Sequence, residues 1–240
     1  MLSALIQAGA LQGFAQSRSK VVLEAQLWNL LTKREKRYVI PLAEEFNYDL
    51  VKIMKHLCEF KDEKNKVVIK ESRFETIKKK YEPYKAIYMQ NNKSESFANW
   101  YYENYLLGYT YGRTLKDIFS EKYMGLDDIS QIEDHPIDSR ITAIATITDC
   151  YKGISKNKNK YIRFELSDET GNFRAMIVNN KRDKTKVEDC ESLNNGVPQK
   201  GSIVFVRGTK KEDIIFADVI ADQSQKVYTK LSELKMNKSS

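Results

Sequence analysis

The sequence predicts an α+β chain, a multi-helix N-terminal region followed by a five-stranded β-barrel. Three observations carry this. Apolar residues recur at helical spacing from Leu2 to about Tyr123; the period changes from about 3.6 to 2 after the polar stretch 127–139; and short alternating segments then follow one another to about Ala221.

In chain order, the helical stripes are Leu23, Leu27, Leu30 and Leu31; then Phe46, Leu50, Ile53 or Met54, and Leu57; then Phe97, Tyr101 and Tyr105. Stops or turns are expected at Gly9 and Gly13, Pro41, Lys61 to Lys66, Pro83, Asn91-Asn92 and Gly108. Thr114 with Asp117 three residues on reads as a capping box opening a short helix, with Gly125 placed to close it. Strands are expected at 140–151, 160–167, 172–179, 202–209 and 214–221, with a partly helical insertion between the third and fourth. That pattern is an OB-fold, a small barrel whose second and third strands and flanking loops hold oligonucleotides. The expected division is a helical region over 1–126, a linker over 127–139, the OB-fold over 140–224 and a flexible basic tail over 225–240.

The totals narrow the function. Lys and Arg number 40 against 33 Asp and Glu, a net charge of +7, which suits an anionic partner such as nucleic acid. Cys58, Cys150 and Cys190 are scattered and form no CxxC pair, which fits packed or exposed thiols in a reducing cytoplasm. No apolar run approaches a membrane span, and no secretion signal opens the chain. His56 and His135 are the only histidines, Asp-x-Asp does not occur, and Asp189 and Glu191 flank Cys190 without further ligands. GxxxxGK[ST] and GxSxG are also missing. No catalytic residue, metal or cofactor is therefore expected in this chain.

The stretch YIRFELSDETGNFRAMIV (161–178) carries the candidate site. Ile162, Phe164 and Leu166 point one way, and after the turn Asp168-Glu169-Thr170-Gly171 so do Phe173, Ala175 and Ile177. The other face presents Tyr161, Arg163, Glu165, Arg174 and Met176. An aromatic ring stacks on a base, and a guanidinium forks onto a phosphate or stacks. The competing reading is a solvated sheet face with Arg163 or Arg174 paired to Glu165 across strands. Lys152, Lys156, Lys158 and Lys160, in the loop before this hairpin, are placed to neutralise phosphates. Lys210 and Lys211 in the last turn are expected beside the same groove.

Three stretches carry a resemblance to a known family. ALIQAGALQGFAQSRSKVVLEA (4–25) resembles the end of a helix-hairpin-helix region, YYENYLLGYTYGRTLKDIF (101–119) a segment that precedes an OB domain, and FELSDETGNFRAMIV (164–178) with GSIVFVRGTKKEDIIFADVI (201–220) the OB domain itself. The resemblance is to the C-terminal part of the alpha subunit of bacterial DNA polymerase III, a C-family replicative polymerase, in a divergent and phage-like form. It covers roughly half the chain and leaves Lys33 to Ser96 unmatched; Arg113-Thr114 stand where His-Pro is usual. QLWNLL (26–31) is similar to the family's sliding-clamp peptide, although its leucines also form a helical core stripe. The resemblance implies a non-catalytic, DNA-binding portion of a DNA-directed DNA polymerase, with single-stranded template, an upstream polymerase fragment, and a sliding clamp or clamp-loader subunit as partners. Two alternatives stay open: a module that docks a polymerase, clamp or clamp-loader subunit without touching DNA, and an RNA- or tRNA-binding barrel.

Overall fold

The computed structural model describes residues 2–11, 13 and 17–224, which form two compact units divided between Gly108 and Tyr109. The tail expected over 225–240 lies outside the described residues. Among the described residues no helix is long and apolar enough to cross a membrane, and no group of three or more His, Cys, Asp or Glu is placed to hold a metal ion.

The first unit is helical: α1 (Leu2–Gln7), α2 (Arg18–Leu30), α3 (Lys33–Leu42), α4 (Leu50–Leu57), α5 (Glu71–Asn91) and α6 (Glu95–Leu107). The starts of α2, α3 and α4 are written in side chains. Ser17 accepts from Lys20 N–H, Thr32 and Glu35 close a reciprocal capping box, and Asp49 accepts from Lys52 N–H. Gly108 ends α6 at φ +81°, in the left-handed region that glycine occupies without strain. Leu23, Leu27 and Leu31 pack with Ile53, Met54 and Leu57 of α4 and with Ile77 and Tyr81 of α5, so the leucines of QLWNLL belong to the core. Lys61 to Lys66 turn tightly, with the Asp62 carboxylate accepting from Lys64 and Lys66 N–H and pairing with Arg34 at 2.7 Å.

Two expectations fail here. Pro83 does not stop a helix but lies inside α5, whereas α3 does end next to Pro41, one residue after it. An interior proline costs about 3 kcal/mol. In α5, however, the stripe Phe74, Ile77, Tyr81, Tyr84 and Tyr88 runs straight through the proline onto one core, so packing outweighs the lost N–H bond. The buried face of α6 is Phe97, Ala98, Trp100 and Tyr102, rotated away from the expected Phe97, Tyr101 and Tyr105; Tyr105 is 54% exposed. The Glu24 carboxylate lies on α2 with Oε2 buried and without a hydrogen-bond partner among the described residues, and desolvation pushes its pKa up to about 7.

The second unit contains α7 (Leu115–Phe119), α8 (Ile129–Ile132), β1 (Arg140–Ile154), β2 (Lys160–Ser167), β3 (Asn172–Val178), α9 (Lys186–Leu193), β4 (Ile203–Lys211) and β5 (Ile214–Asp222). The strands close a barrel in the order β1-β2-β3-β5-β4, with β3 and β5 parallel and every other pair antiparallel. This is the expected OB-fold. β1 is long enough to serve two partners: Arg140 to Thr146 pair with β4, a bulge falls at Thr148, and Asp149 to Ile154 pair with β2. A second bulge sets Asp218 out of β5 opposite Arg207 and Gly208. Gly208 is obligatory there, because a Cβ would stand 2.4 Å from the Phe216 carbonyl oxygen and 2.7 Å from the Ala217 Cα.

Alternation fills the interior. Ile162, Phe164, Leu166, Phe173, Ala175 and Ile177 are all buried, with Ile141, Ala143, Ala145 and Ile147 from β1 and Val204, Val206, Ile215 and Ala217 from β4 and β5. Two helices add to this core, α9 with Val187 and Cys190 and α8 with Ile129 and Ile132. The stretch 127–139 is thus not a linker, since α8 lies within it and two of its isoleucines belong to the barrel core. The capping box at Thr114 and Asp117 opens α7, but the helix ends at Phe119, before Gly125.

The turn between β2 and β3 ties these helices down. The Asp168 carboxylate accepts from Ile129 N–H at 3.0 Å, the Thr170 hydroxyl accepts from Ser130 N–H at 3.0 Å, and the Glu169 carboxylate accepts from Leu115 N–H at 3.2 Å. Free N–H groups at the starts of both α7 and α8 are thereby satisfied by one hairpin turn.

Candidate nucleic-acid interface

The barrel has two unlike outer sides. On the β1–β4 side, Ile144 points outward yet is only 2% exposed; its ladder partner Phe205 stacks on Tyr123 at 4.3 Å, and α7 packs on β1. On the β2–β3–β5 side no outward side chain is buried: Arg163, Arg174 and Phe216 are exposed, and Tyr161, Met176 and Val178 are half-buried.

Ladder pairing sets those side chains in rows. One row runs Tyr151, Arg163, Met176 and Phe216 across β1, β2, β3 and β5, each residue directly opposite the next. Beside it Gly153, Tyr161 and Val178 form a second row. The rings of Tyr151 and Tyr161 lie 6.0 Å apart at 47°. Gly153 makes that approach possible, since a Cβ on it would stand 2.8 Å from the Tyr151 ring and 2.9 Å from the Tyr161 ring. Tyr151 is well exposed and Phe216 is 36% exposed. A third row, toward the β4–β5 turn, is Glu165, Arg174, Ile214 and Lys211.

The expected site residues separate into three groups. Tyr161, Arg163, Arg174 and Met176 share the open outer face. Arg163 stands 3.7 Å from Glu165, and Arg174 pairs with Asp213 at 2.9 Å. Lys156 and Lys158 sit in the five-residue turn 155–159 with no ion pair among the described residues. This turn is tight, closed by Ser155 N–H to the Asn159 carbonyl and Lys158 N–H to the Ser155 carbonyl, both at 2.8 Å.

The other lysines point elsewhere. Lys152 and Lys160 have the opposite parity, Lys152 opposite Ile162 and Lys160 opposite Ile154. They reach α9, where Lys152 pairs with Glu191 and Lys160 with Glu188 at 2.6 Å. The Lys160 ammonium and the Asn179 amide hold the Glu188 carboxyl down to about 2, and Glu188 in turn raises Lys160. Lys210 is not in the groove. It is 5% exposed, and its ammonium donates to the carbonyls of Glu133 at 2.5 Å and His135 at 2.6 Å. With Lys210 turned inward by strand alternation, its neighbour Lys211 is outward and pairs with Asp138.

Sequence reasoning missed two parts of this face. Tyr151 and Phe216 complete its aromatic row, and alternation around Ile215 and Ala217 signals Phe216. The second part is the loop after β3. Lys181, Arg182 and Lys184 are exposed without an ion pair among the described residues, and the run Asn180-Lys181-Arg182-Asp183-Lys184 was the available signal. Beyond Met176 the ladder between β3 and β5 stops, and a groove of ≈ 510 Å³ opens there, lined by Met176, Val178, Arg182, Lys186 and Phe216. Unpaired positive charge therefore gathers in the turn 155–159 and the loop 180–185, adjoining loops because Tyr161 faces Val178.

No family model matches the chain, and no curated protein matches it. Among solved structures it is similar to aspartyl-tRNA synthetase from Entamoeba histolytica, at 15% identity over 44% of this chain and 22% of that one, with a TM-score of 0.32. It is also similar to the second OB-fold domain of replication protein A from Methanococcus maripaludis, at 16% over 44% and 97% with a TM-score of 0.25. PriB from Ralstonia solanacearum matches at 9% over 37% and 100%, with a TM-score of 0.26. The matched part of this chain spans less than a quarter of the synthetase. At these scores the matches carry no argument about function.

Proposed function

We propose that the barrel holds single-stranded nucleic acid, DNA in the first instance, across the outer face of β2, β3 and β5. The observation that carries this is the uncovered row Tyr151, Arg163, Met176 and Phe216 with Tyr161 beside it, while the opposite side of the barrel lies under α7. Bases stack on the tyrosines, Phe216 and the Arg163 plane; Lys156, Lys158 and Arg182 meet the phosphates along the adjoining edge. Stacking is worth about 1–3 kcal/mol per base, so Tyr161→Ala with Phe216→Ala lowers the affinity for a labelled oligothymidine in fluorescence anisotropy by about 1–3 kcal/mol for each base that no longer stacks. Unchanged affinity in the double variant removes this face from the interface. A matching RNA oligomer used as competitor measures the preference between the two nucleic acids.

The finer reading is a non-catalytic, DNA-binding portion of a polymerase III alpha-like protein that grips template for a catalytic partner. It rests on the resemblance of residues 4–25, 101–119, 164–178 and 201–220. Supplying this chain to a polymerase fragment of that family should lengthen its primer-extension products, and identical product lengths would count against the assignment. A second reading, a module that docks a protein, is favoured by one observation: Arg163 and Arg174 already stand beside the barrel's own Glu165 and Asp213. Co-migration with a clamp or clamp-loader subunit, with no anisotropy change on any oligonucleotide at low salt, would establish it.

A further inference from the structure

On the helical unit, two stretches distant in sequence bring their cations to one place. Residues 33–37, at the start of α3, and residues 61–66, in the turn between α4 and α5, carry seven Lys or Arg and three Asp or Glu. That is a net charge of +4 on eleven residues, against +7 for the whole chain. Two contacts hold the stretches together. Arg34 pairs with Asp62 at 2.7 Å, and the rings of Tyr38, one turn after Arg34, and Phe60, one residue before Lys61, lie 6.1 Å apart.

Most of the acid in this patch is used up inside it. Glu35 is 6% exposed and accepts from Thr32 N–H and from Arg73. Asp62 accepts from Lys64 and Lys66 N–H as well as from Arg34. Among the cations, Lys36 lies over the Trp28 ring, 4.9 Å from its centroid. Lys33, Arg37, Lys61, Lys64 and Lys66 are exposed and have no ion pair among the described residues, and Glu63 is the one exposed acid set against them in these two stretches.

Two features argue that this charge serves a ligand. Lys33, Arg34 and Lys36 occupy the first turn of α3 and no basic residue occupies its last, the reverse of what the helix dipole favours. Departures from local preference are expected at functional sites. The second feature is aromatic. From Tyr38 the rings continue through Phe60 to His56 at 6.2 Å and on to Phe46 at 5.2 Å, and Phe60 and His56 are exposed.

Cations alone suit any polyanion. Ring faces beside them narrow the choice, because an unpaired base stacks on an aromatic ring while its phosphates reach the lysines. The bases of a duplex are already stacked on one another, and a phosphatidylserine headgroup has no aromatic ring.

We infer that the start of α3 and the turn 61–66 form a second contact for single-stranded nucleic acid: Arg37, Lys61, Lys64 and Lys66 meet phosphates, and Phe60 and His56 stack bases. The patch lies outside the stretches that carry the family resemblance, and it does not rest on the reading of the barrel face.

The test is a salt titration of the full chain with labelled oligothymidine, read by fluorescence anisotropy in a chain that already carries Tyr161→Ala and Phe216→Ala. Comparing this chain with the parent tests the barrel; further variants within it test the patch. Single strands lose about 0.7 in the slope of log affinity against log salt for each phosphate contact. Arg37→Gln, Lys64→Gln and Lys66→Gln together should therefore make the slope shallower by about 2, with an unchanged thermal melt. Phe60→Leu, which keeps an apolar side chain without a ring, should weaken oligothymidine about five- to a hundredfold for each base that no longer stacks and leave a duplex of the same length unaffected. An unaltered slope in the triple variant, or equal oligothymidine affinity in Phe60→Leu, would overturn the assignment. So would a triple variant that loses co-sedimentation with phosphatidylserine vesicles but keeps its affinity for oligothymidine, which would make the patch a membrane contact.

Discussion

At the scale of single residues, the open barrel face depends on a missing side chain. Gly153 is where two tyrosine rings converge, and any Cβ there displaces them. Ring atoms can move, unlike the backbone that crowds Gly208, so Gly153→Ala is expected to leave the thermal melt nearly unchanged. Oligothymidine binding should weaken by about 1–3 kcal/mol as the stacking surface is disturbed; equal affinity in an anisotropy titration would show that the rings are not a stacking site. The face of the β2–β3 hairpin was legible because alternation assigns every second residue to one side. Lys210 was expected in a turn after a strand ending at residue 209; β4 instead runs on to Lys211, and alternation then turns Lys210 inward and Lys211 outward. The split of Lys152 and Lys160 from Lys156 and Lys158 follows from parity too, once β1 is known to continue to Ile154 rather than stopping at Tyr151.

Among elements, two carboxyls, one in each unit, make contributions of opposite sign to the response to pH. Glu188 joins α9 to the β1–β2 hairpin, and its folded pKa of about 2 lies below its ordinary 4.5. The stabilisation is complete above pH 4.5 and is lost as the pH falls toward 2. Glu188→Gln should accordingly flatten the acid limb of the barrel's unfolding curve, read by circular dichroism between pH 5 and 2. Glu24 has the reverse sign. Its folded pKa of about 7 lies above 4.5, so its own contribution to the helical unit is largest below pH 4.5 and is lost as pH rises through 7. Glu35 and Asp62, whose carboxyls are held down, follow the opposite trend. Glu24→Gln, which keeps an oxygen for the Leu50 N–H, is predicted to raise the melting temperature at pH 8 and not at pH 4. A variant that melts like the parent at both would show that Glu24 is solvated. Neither partnership could be read from sequence, since each joins residues from elements whose packing is set by the rest of the fold.

For the molecule as a whole, strand order and count were legible because five alternating segments with one insertion admit few closed arrangements. The boundary was harder to see. Residues 127–139 are polar in composition, yet Ile129 and Ile132 are spaced so that a single helical turn delivers both to the barrel. Leu115, Phe119 and Leu126, also buried, precede them. Fully burying such side chains is worth about 1.5–3 kcal/mol each, against a total stability of roughly 5–15 kcal/mol for a domain. A chain spanning 109–224 should melt cooperatively, whereas one spanning 140–224 should not; a sharp calorimetric transition in the shorter chain would disprove that dependence. The turn Asp168-Glu169-Thr170-Gly171 bears on where this protein tolerates new sequence. It resembles an ordinary hairpin tip, the usual place to splice in a tag or a reporter, but Asp168, Glu169 and Thr170 fasten α7 and α8. A guest peptide belongs instead at 155–159 or 180–185, where the fold survives it and only the grip on a ligand is lost.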